Sequence, residues 1–295
     1  MTARVGVAQG PLGAGVAAIR GEIKRWPGSL RLGSVIIATI ALAGLFAPLI
    51  APYDPYYQDF AATLLPPSWA HPFGTDMVGR DIFSRALYGA RIDLEIGLIT
   101  TYVPMVYGVA LGAIAGYYGG WFDSLLMRAL DVAIAFPFLV LIIVILSILG
   151  PGVQNIYIAV FLVAWTMYAR LARGDMLVER RKDYILAART LGFGPGRIIF
   201  RHALPNIIQS SIVFSMADFV LNILLVSGLS FLGLGVQPPA PEWGAMVAEG
   251  RDYITQAWWI STMPGVVIVV TGIGFSLIGD GLARRFGQEG RASAA

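Results

Sequence analysis

The sequence predicts an all-α integral membrane protein with six transmembrane helices. Of its 295 residues, 57% are hydrophobic and 13% are charged, and the mean hydropathy is +0.70. A soluble domain carries about 25% charged residues, so this chain has too little charge to cover a soluble surface. The chain also contains apolar runs near the roughly 20 residues that cross a bilayer as one helix. Helices are favoured because open sheets would leave backbone groups unpaired in lipid.

The predicted spans follow one another along most of the chain. They cover residues 30–50, 93–116, 130–150, 154–172, 207–232 and 259–281. The first is expected to be an uncleaved helix, because Pro52 stands where a signal peptide would carry small residues for cleavage. The second has the weakest apolar pattern, since Asp93, Glu95 and Pro104 lie in or near it.

Lysine and arginine are distributed unevenly between the two sides of these spans. With the N-terminus inside, 17 of the 21 lie in inner segments, and only Arg80, Arg85, Arg91 and Arg251 lie in outer ones. Inner loops of membrane proteins are enriched in these residues, so both termini are predicted to be cytoplasmic. The resulting segments are a cytoplasmic stretch 1–29, the span 30–50, an outer segment 51–92, a five-helix core 93–286 with an inner loop 173–205, and a cytoplasmic tail 287–295.

The inner loop 173–205 is predicted to be structured. A helix is expected from Met176 to Leu191, and Gly192 can adopt the left-handed conformation that commonly closes a helix. After a turn rich in glycine and proline, a second helix is expected from about Arg197 and leads back into the membrane. The loop is thus predicted to be a short helix–turn–helix on the cytoplasmic face.

Two interpretations of this loop follow from its pattern. Ala187, Ala188 and Gly192 are small and would let another surface approach the backbone, while the basic rim could attract an acidic partner or anionic lipid. The loop is therefore either an ordinary basic connection held near the membrane or a docking element for a cytoplasmic partner. Its length of about 35 residues favours docking, because connections between helices rarely need so many.

Residues with catalytic or metal-binding chemistry are sparse. The chain has no cysteine, no GxxxxGK[ST] phosphate loop and no GxSxG elbow, so no catalytic residue is expected and ATP would have to bind another chain. His71 and His202 lie far apart and match no metal-ligand spacing, so no metal site is expected. His202 is instead expected to anchor the second loop helix by hydrogen bonding.

Two polar residues lie inside the fifth predicted span. Asp218 and Asn222 are four residues apart and therefore share one helix face. That face should point to the bundle interior or to a water-filled path, because exposing a carboxylate to lipid costs about 3 kcal/mol or more. Lining of a translocation path and buried polar packing both remain open.

Two further patterns predict local packing. Asp131 follows Arg128 by three residues, which favours a local ion pair near the inner surface. Gly108, Gly112 and Gly116 recur at four-residue steps, which favours close helix packing, within the chain or at a subunit contact.

The inner loop resembles the "EAA" loop of ATP-binding-cassette (ABC) transporter permeases. Ala187-Ala188, Gly192 and the His-Ala-Leu-Pro run at 202–205 match its pattern, whereas Leu186 stands where the family has glutamate. Further motifs are similar to those of the dipeptide, oligopeptide and nickel permeases of the second-subunit type, and here Val226 replaces a frequent glutamate. These motifs are HPFGTDMVGRD at 71–81, SR at 84–85, YGAR at 88–91, GYYGGWFD at 116–123, MRALD at 127–131, LSFLGLGVQPP at 229–239 and GDGL at 279–282.

The resemblance implies a type I importer permease of MetI-like fold in the bacterial inner membrane. Its expected partners are a second, different permease, two ATP-binding subunits that hold ATP and Mg²⁺, an extracytoplasmic solute-binding protein and the lipid bilayer. No cofactor on this chain and no nucleic acid are expected. Peptides are the commonest cargo that the resemblance implies, with nickel complexes, opines or sugars as alternatives. The residues it assigns to ATPase coupling are Ala187, Ala188, Arg189, Leu191, Gly192, His202 and Pro205.

Two other functional classes compete with this interpretation. A secondary transporter would carry inverted repeats with paired broken helices, and it would take up solute without an ATPase. An intramembrane enzyme would need a nucleophile and a base, or metal ligands, at one membrane depth. The sequence displays neither pattern.

Overall fold

The computed structural model describes residues 26–292, with side chains to residue 287. Within this range the regular elements are helices, apart from an isolated bridge between Thr75 and Asp81. The helices are α1 (Gly28–Leu45), α2 (Ala47–Ile50), α3 (Ile82–Tyr118), α4 (Gly120–Ile134), α5 (Phe138–Leu149), α6 (Val153–Val163), α7 (Trp165–Glu179), α8 (Asp183–Thr190), α9 (Pro195–Arg197), α10 (Leu204–Phe231), α11 (Trp243–Glu249) and α12 (Trp259–Ala292). A π-helical turn, Ile198–Ala203, joins α9 to α10. The predicted segment 1–29 and tail 287–295 lie almost wholly outside the described side chains.

Five continuous helical stretches in the described residues are long and apolar enough to cross a membrane. They are α1, α3, α6 with α7, α9 with α10, and α12 up to Gly287. The predicted third span, 130–150, is not a single straight helix, because α4 and α5 meet at an angle of 85°. Pro137 explains the break: it lacks an N–H donor and disfavours helical geometry at the residue before it. If the bent pair counts as one crossing, the number of spans is six.

Helix α3 begins eleven residues before the predicted second span. Its first turn is capped by Asp81, whose carboxylate accepts hydrogen bonds from the Ser84 backbone N–H at 2.7 Å and from the Ser84 hydroxyl at 2.6 Å. A side chain that accepts from these N–H groups stabilises a helix start. The charges of Arg85 and Arg91 made this stretch look like an outer loop, but it is the polar first part of the helix.

The most extensive contact between two described helices is that of α3 with α7. Gly108, Gly112 and Gly116 form the contact on α3, and a Cβ atom added at Gly112 would lie 2.2 Å from the Ala169 carbonyl oxygen. At Gly108 the nearest atom would be the Trp165 carbonyl oxygen, at 2.7 Å. The close packing predicted for these glycines is therefore present, and it joins two helices of the same chain.

The ends of α3 and α12 on the side predicted to be outer are covered by residues 51–81 and by α11, and we call this region the outer cap. Four charged groups hold this region together, and all but Glu249 are buried. Arg80 pairs with Asp76 at 2.5 Å and with Glu249 of α11 at 2.7 Å. Arg85, 1% exposed, also reaches Glu249, at 3.3 Å. Because each arginine has an acidic partner, these outer positive charges belong to a folded cap rather than to a free loop.

Trp243 is a second attachment between helix α11 and α3. Trp243 is fully buried; its indole N–H donates to the Ala86 carbonyl oxygen at 2.9 Å, and its backbone N–H donates to the Asp93 carboxylate at 3.1 Å. Asp93 weakened the apolar pattern of the predicted second span, and here it serves as the acceptor that fixes the outer loop. Glu242 caps α11 by accepting from the Gly244 and Ala245 N–H groups.

Candidate functional site

The first candidate region is the inner loop between α7 and α10. The continuous helix predicted from Met176 to Leu191 is wrong, because α7 ends at Glu179 and the chain turns at residues 180–182. At this turn the Arg180 guanidinium donates to the carbonyl oxygens of Gly116, at 2.8 Å, and of Tyr117, at 3.1 Å. These carbonyls lie in the last turn of α3, where no intrahelical partner is available. The chain leaves helical geometry at Lys182, whose ψ is 146°, and α8 is therefore a separate helix.

Helix α8 has a buried face and an exposed face. Ile185 and Ala188 are buried in an apolar cluster, whereas Ala187 is exposed and Leu186 and Leu191 are 46% and 72% exposed. The cluster also contains Ala113, Met176, Ile198, Ile199, Ala203 and Ile207. Of the two predicted docking alanines, only Ala187 can therefore meet a partner, and Ala188 holds α8 against the body of the protein.

The turn after α8 has the predicted left-handed geometry. Gly192 has φ +78°, and its N–H donates to the Arg189 carbonyl oxygen at 2.9 Å. A Cβ atom added at Gly192 would meet no atom within 4 Å, so this corner is open to an approaching surface. Arg189 turns back to α3, where its guanidinium lies 4.7 Å from the centre of the Tyr117 ring and donates to the Tyr117 hydroxyl at 3.2 Å.

The side chain of His202 is held by stacking rather than by the predicted hydrogen bond. Its ring stacks on Phe193 with centroids 5.6 Å apart, and the Arg197 guanidinium lies 4.2 Å from the centre of the same Phe193 ring. The buried Nε2 atom of His202 has no hydrogen-bond partner among the described residues. Pro205 is exposed in the first turn of α10, directly after the π-helical turn.

A polar junction links α8 to both neighbouring spans. The carboxylate of Glu179, 5% exposed at the end of α7, pairs with Lys182 at 2.7 Å and accepts a hydrogen bond from the Tyr184 hydroxyl. Asn206 of α10 donates to the same hydroxyl at 2.8 Å. Burial and the bond to Glu179 raise the pKa of Tyr184 to about 12, so the phenol stays protonated and donates at neutral pH. The sequence pattern did not reveal this junction, because its members look like ordinary loop residues.

The second candidate region is a cavity of about 760 Å³ beside the bend between α4 and α5. Asp218 and Asn222 both line it, and Asn222 donates to Asp218 at 3.2 Å, so the predicted shared face is confirmed. Tyr168 of α7 donates to the same carboxylate oxygen at 2.8 Å, and Asn222 also reaches Thr101 of α3 at 3.0 Å. Sequence reasoning missed Tyr168 and Thr101, since no local spacing connects them to α10.

The ion pair predicted between Asp131 and Arg128 is wrong. Asp131 instead accepts a hydrogen bond from Arg170 of α7 at 2.7 Å. One helical turn farther along α7, Arg173 makes two hydrogen bonds to Asp123 of α4. These contacts join helices that are far apart in sequence, so a pattern based on neighbouring residues could not predict them.

The remaining histidine belongs to the outer cap. His71 Nδ1 lies 3.0 Å from Asp81 Oδ1, and the His71 ring stacks on Tyr53 with centroids 4.8 Å apart. Among the described residues, no group of three or more histidine, aspartate or glutamate side chains is arranged to hold a metal ion.

Two family models match this chain. One describes binding-protein-dependent transport system inner membrane components and matches residues 108–289. The other describes the N-terminal transmembrane domain of oligopeptide transport permease C and matches residues 31–67.

Proteins of known name resemble the chain over most of its length. The di/tripeptide transport system permease protein DppC of Pseudomonas aeruginosa is 42% identical over 256 residues, which cover 85% of this chain and 84% of that protein. The probable D,D-dipeptide transport system permease protein DdpC of Escherichia coli is 42% identical over 84% of each chain. The glutathione transport system permease protein GsiD of Pectobacterium atrosepticum is also 42% identical, over 85% of this chain and 83% of its own length.

A solved structure has the same fold at much lower sequence identity. A chain of the MetNI methionine ABC transporter in inward-facing conformations superposes with a TM-score of 0.55 at 17% identity, covering 68% of this chain and 96% of that one. The all-helical fold class, with its MetI-like core, is thus confirmed. On the two matching models and the relatives at about 42% identity, the chain belongs to the family of binding-protein-dependent transport system inner membrane components, as a DppC/OppC-like permease.

Proposed function

We propose that this chain is one of two different permease subunits of an ATP-driven importer and that together they form the path for di- or oligopeptides. The names of the relatives support peptides as the substrate class, since they include a di/tripeptide, a D,D-dipeptide and a glutathione system. Import of nickel complexes, opines or sugars by the same machinery is the alternative. A solute-binding protein would deliver the substrate to the outer cap.

The exposed face of α8 is the observation that carries this proposal. Its inner face is fixed in the apolar cluster by Ile185 and Ala188, while Leu186, Ala187 and Leu191 remain uncovered beside the open corner at Gly192. A loop that served only as a connection would not need to hold a separate helix with an apolar outer face. The arrangement suits docking of α8 into a groove of an ATP-binding subunit.

ATP hydrolysis and the bound ATP and Mg²⁺ are assigned to two partner subunits, so this chain would act mechanically. The partner's closure would push α8, and the spans would change between outward and inward access. In a bacterial inner membrane, the bias of lysine and arginine supports a cytoplasmic location for both termini and α8, with the outer cap on the other side.

The docking role is tested by placing a charge on the exposed face of α8. The variant Leu191→Asp is expressed with the sister permease and the ATP-binding subunit, and the amount of ATP-binding subunit that copurifies from detergent-solubilised membranes is measured. Ile254→Asp is the matched control, because Ile254 is 56% exposed but lies between α11 and α12, beside the outer cap. We expect at least a fivefold loss of ATP-binding subunit for Leu191→Asp and none for the control, since a buried unpaired carboxylate would cost about 2 kcal/mol or more.

Two outcomes would contradict the proposal. Equal recovery of the ATP-binding subunit in both variants would show that α8 does not dock. Peptide uptake that persists in cells without the ATP-binding subunit would instead favour a secondary transporter.

A further inference from the structure

The carboxylate of Asp218 lies at the middle of a predicted membrane crossing. Helix α10 has 28 residues, from Leu204 to Phe231, and Asp218 is close to its centre. With a rise of 1.5 Å per residue, the carboxylate is about 20 Å along the helix from either end. A charged group at this depth is expensive, and such residues usually serve the passage or binding of a solute.

The surroundings of Asp218 are suited to the ionised carboxylate. Tyr168 and Asn222 both donate hydrogen bonds to one oxygen, Oδ2, at 2.8 Å and 3.2 Å. Both donors are neutral, and the ion pairs found among the described residues do not include Asp218. The negative charge is therefore solvated by the protein but not neutralised by a positive side chain of the described chain.

The cavity next to Asp218 is otherwise mostly apolar. Asp218 is the one residue with a formal charge among those lining its 760 Å³, and Thr166 and Asn222 are the other side chains there with hydrogen-bonding groups. Phe136 and Phe138, on either side of Pro137 at the α4–α5 bend, form part of the apolar wall. Small-molecule sites generally have this character: an apolar cavity of about 300–1,000 Å³ with a few placed polar groups.

We propose that Asp218 receives a positively charged amino group of the transported solute, while the apolar part of the solute contacts the wall at the α4–α5 bend. For a peptide this group is the N-terminal ammonium. The inference rests on the proposed function, because it treats the cavity as part of the translocation path. It adds a preference of the permease itself for cationic over neutral amines, separate from any selection by a solute-binding protein.

The test uses the permease pair with its ATP-binding subunits and without the solute-binding protein, so that the binding protein cannot select the ligand. Equilibrium dialysis at concentrations up to about 10 mM compares phenylalanine amide, which carries an ammonium group, with N-acetylphenylalanine amide, which is neutral. We expect wild type to bind the cation about tenfold more tightly, the effect of one charge-assisted hydrogen bond. Asp218→Asn should abolish this preference and leave the affinity for the neutral amide unchanged.

A second variant separates charge from general damage to the hydrogen-bond network. Tyr168→Phe removes one donor but keeps the carboxylate, so the preference for the cation should persist. Equal loss of preference in both variants, the absence of any preference in wild type, or binding of neither probe would overturn the inference. So would loss of the sister permease from Asp218→Asn preparations, because Asp218 would then be paired with a basic residue across the subunit contact.

A parallel uptake assay distinguishes failure of this inference from failure of the proposed function. Wild-type transporter with its binding protein is reconstituted in vesicles, and ATP-dependent uptake of radiolabelled Ala-Phe is measured. If Ala-Phe is taken up but the binding experiment shows no cation preference, the inference about Asp218 is wrong and the proposed function still stands. No uptake of Ala-Phe would count against the proposed peptide function, whatever the binding result.

Discussion

Removing the Tyr184 hydroxyl should weaken the link between α8 and the spans without removing the docking face. In Tyr184→Phe, the buried carboxylate of Glu179 loses one donor but keeps Lys182 at 2.7 Å, and Asn206 loses the acceptor that it reaches at 2.8 Å. A hydrogen bond to a charged group contributes about 1.5–3 kcal/mol. Because Tyr184 is 40% exposed, water can replace part of the lost hydrogen bond, so we expect a loss at the lower end of this range, about 1.5 kcal/mol.

This hydrogen-bond energy determines how firmly α8 is held in one orientation relative to α7 and α10. The apolar contacts of Ile185 and Ala188 remain in the variant, but such contacts are not directional, whereas the hydrogen bonds of Tyr184 fix its orientation to α7 and α10. A change of 1.5 kcal/mol is roughly tenfold in an equilibrium between a fixed and a loosened α8. We therefore expect less solute transported per ATP hydrolysed, by several-fold, with little change in the ATP-binding subunit that copurifies.

The assay is uptake and ATP hydrolysis measured together in vesicles that contain the complete transporter. Tyr118→Phe is the control, since Tyr118 is 59% exposed at the end of α3 and loses the same atom. A double variant with Asn206→Ala should lose little more than Tyr184→Phe alone, because both changes break one network. An unchanged ratio of uptake to hydrolysis, or additive losses in the double variant, would refute the reasoning.

Two further predictions concern stability of the purified protein. Gly112→Ala places a Cβ atom 2.2 Å from the Ala169 carbonyl oxygen and should destabilise the fold by about 1–3 kcal/mol, which lowers the midpoint of thermal unfolding. Gly174→Ala on α7 is the control and should not lower the midpoint, because the added atom meets nothing within 4 Å. Glu249→Gln leaves two buried arginines with too little negative charge and should cost about 2–4 kcal/mol by the same measurement. Asp252→Asn removes an acid from an exposed pair and should change the midpoint little; an equal fall in both would contradict the role given to the buried network.

The features predicted successfully from the sequence are those set by neighbouring residues. The step of four between Asp218 and Asn222 fixes a shared helix face, and the missing side chain of Gly192 permits its left-handed turn. The glycines of α3 permitted close approach, but only the fold reveals that the approaching helix is α7.

The failures concern contacts made across the fold. Asp131 could pair with Arg128 by spacing alone, yet α7 brings Arg170 closer, and a pattern along one helix carries no information about that. The predicted loop helix is likewise interrupted at Lys182, and the bonds from Arg180 to the carbonyl oxygens at the end of α3 could not be predicted from spacing. The break at Pro137 was predictable in principle, but the strongly apolar run around it masked the signal.

The two candidate regions are joined by a continuous chain of contacts. Helix α8 is fixed to the end of α7 through Glu179, and α7 carries Arg173, which holds Asp123 of α4 by two hydrogen bonds with both groups partly shielded from water. Helix α4 ends at the bend that forms one wall of the cavity, while Tyr168 of α7 touches Asp218 directly. A displacement of α8 therefore has two routes to the cavity, one to the carboxylate and one to the apolar wall. Because α3 packs against α7 through glycines with almost no free space, we expect α7 to move as a rigid body rather than to bend. The angle between α4 and α5 at Pro137 is then the part of the fold that we expect to change.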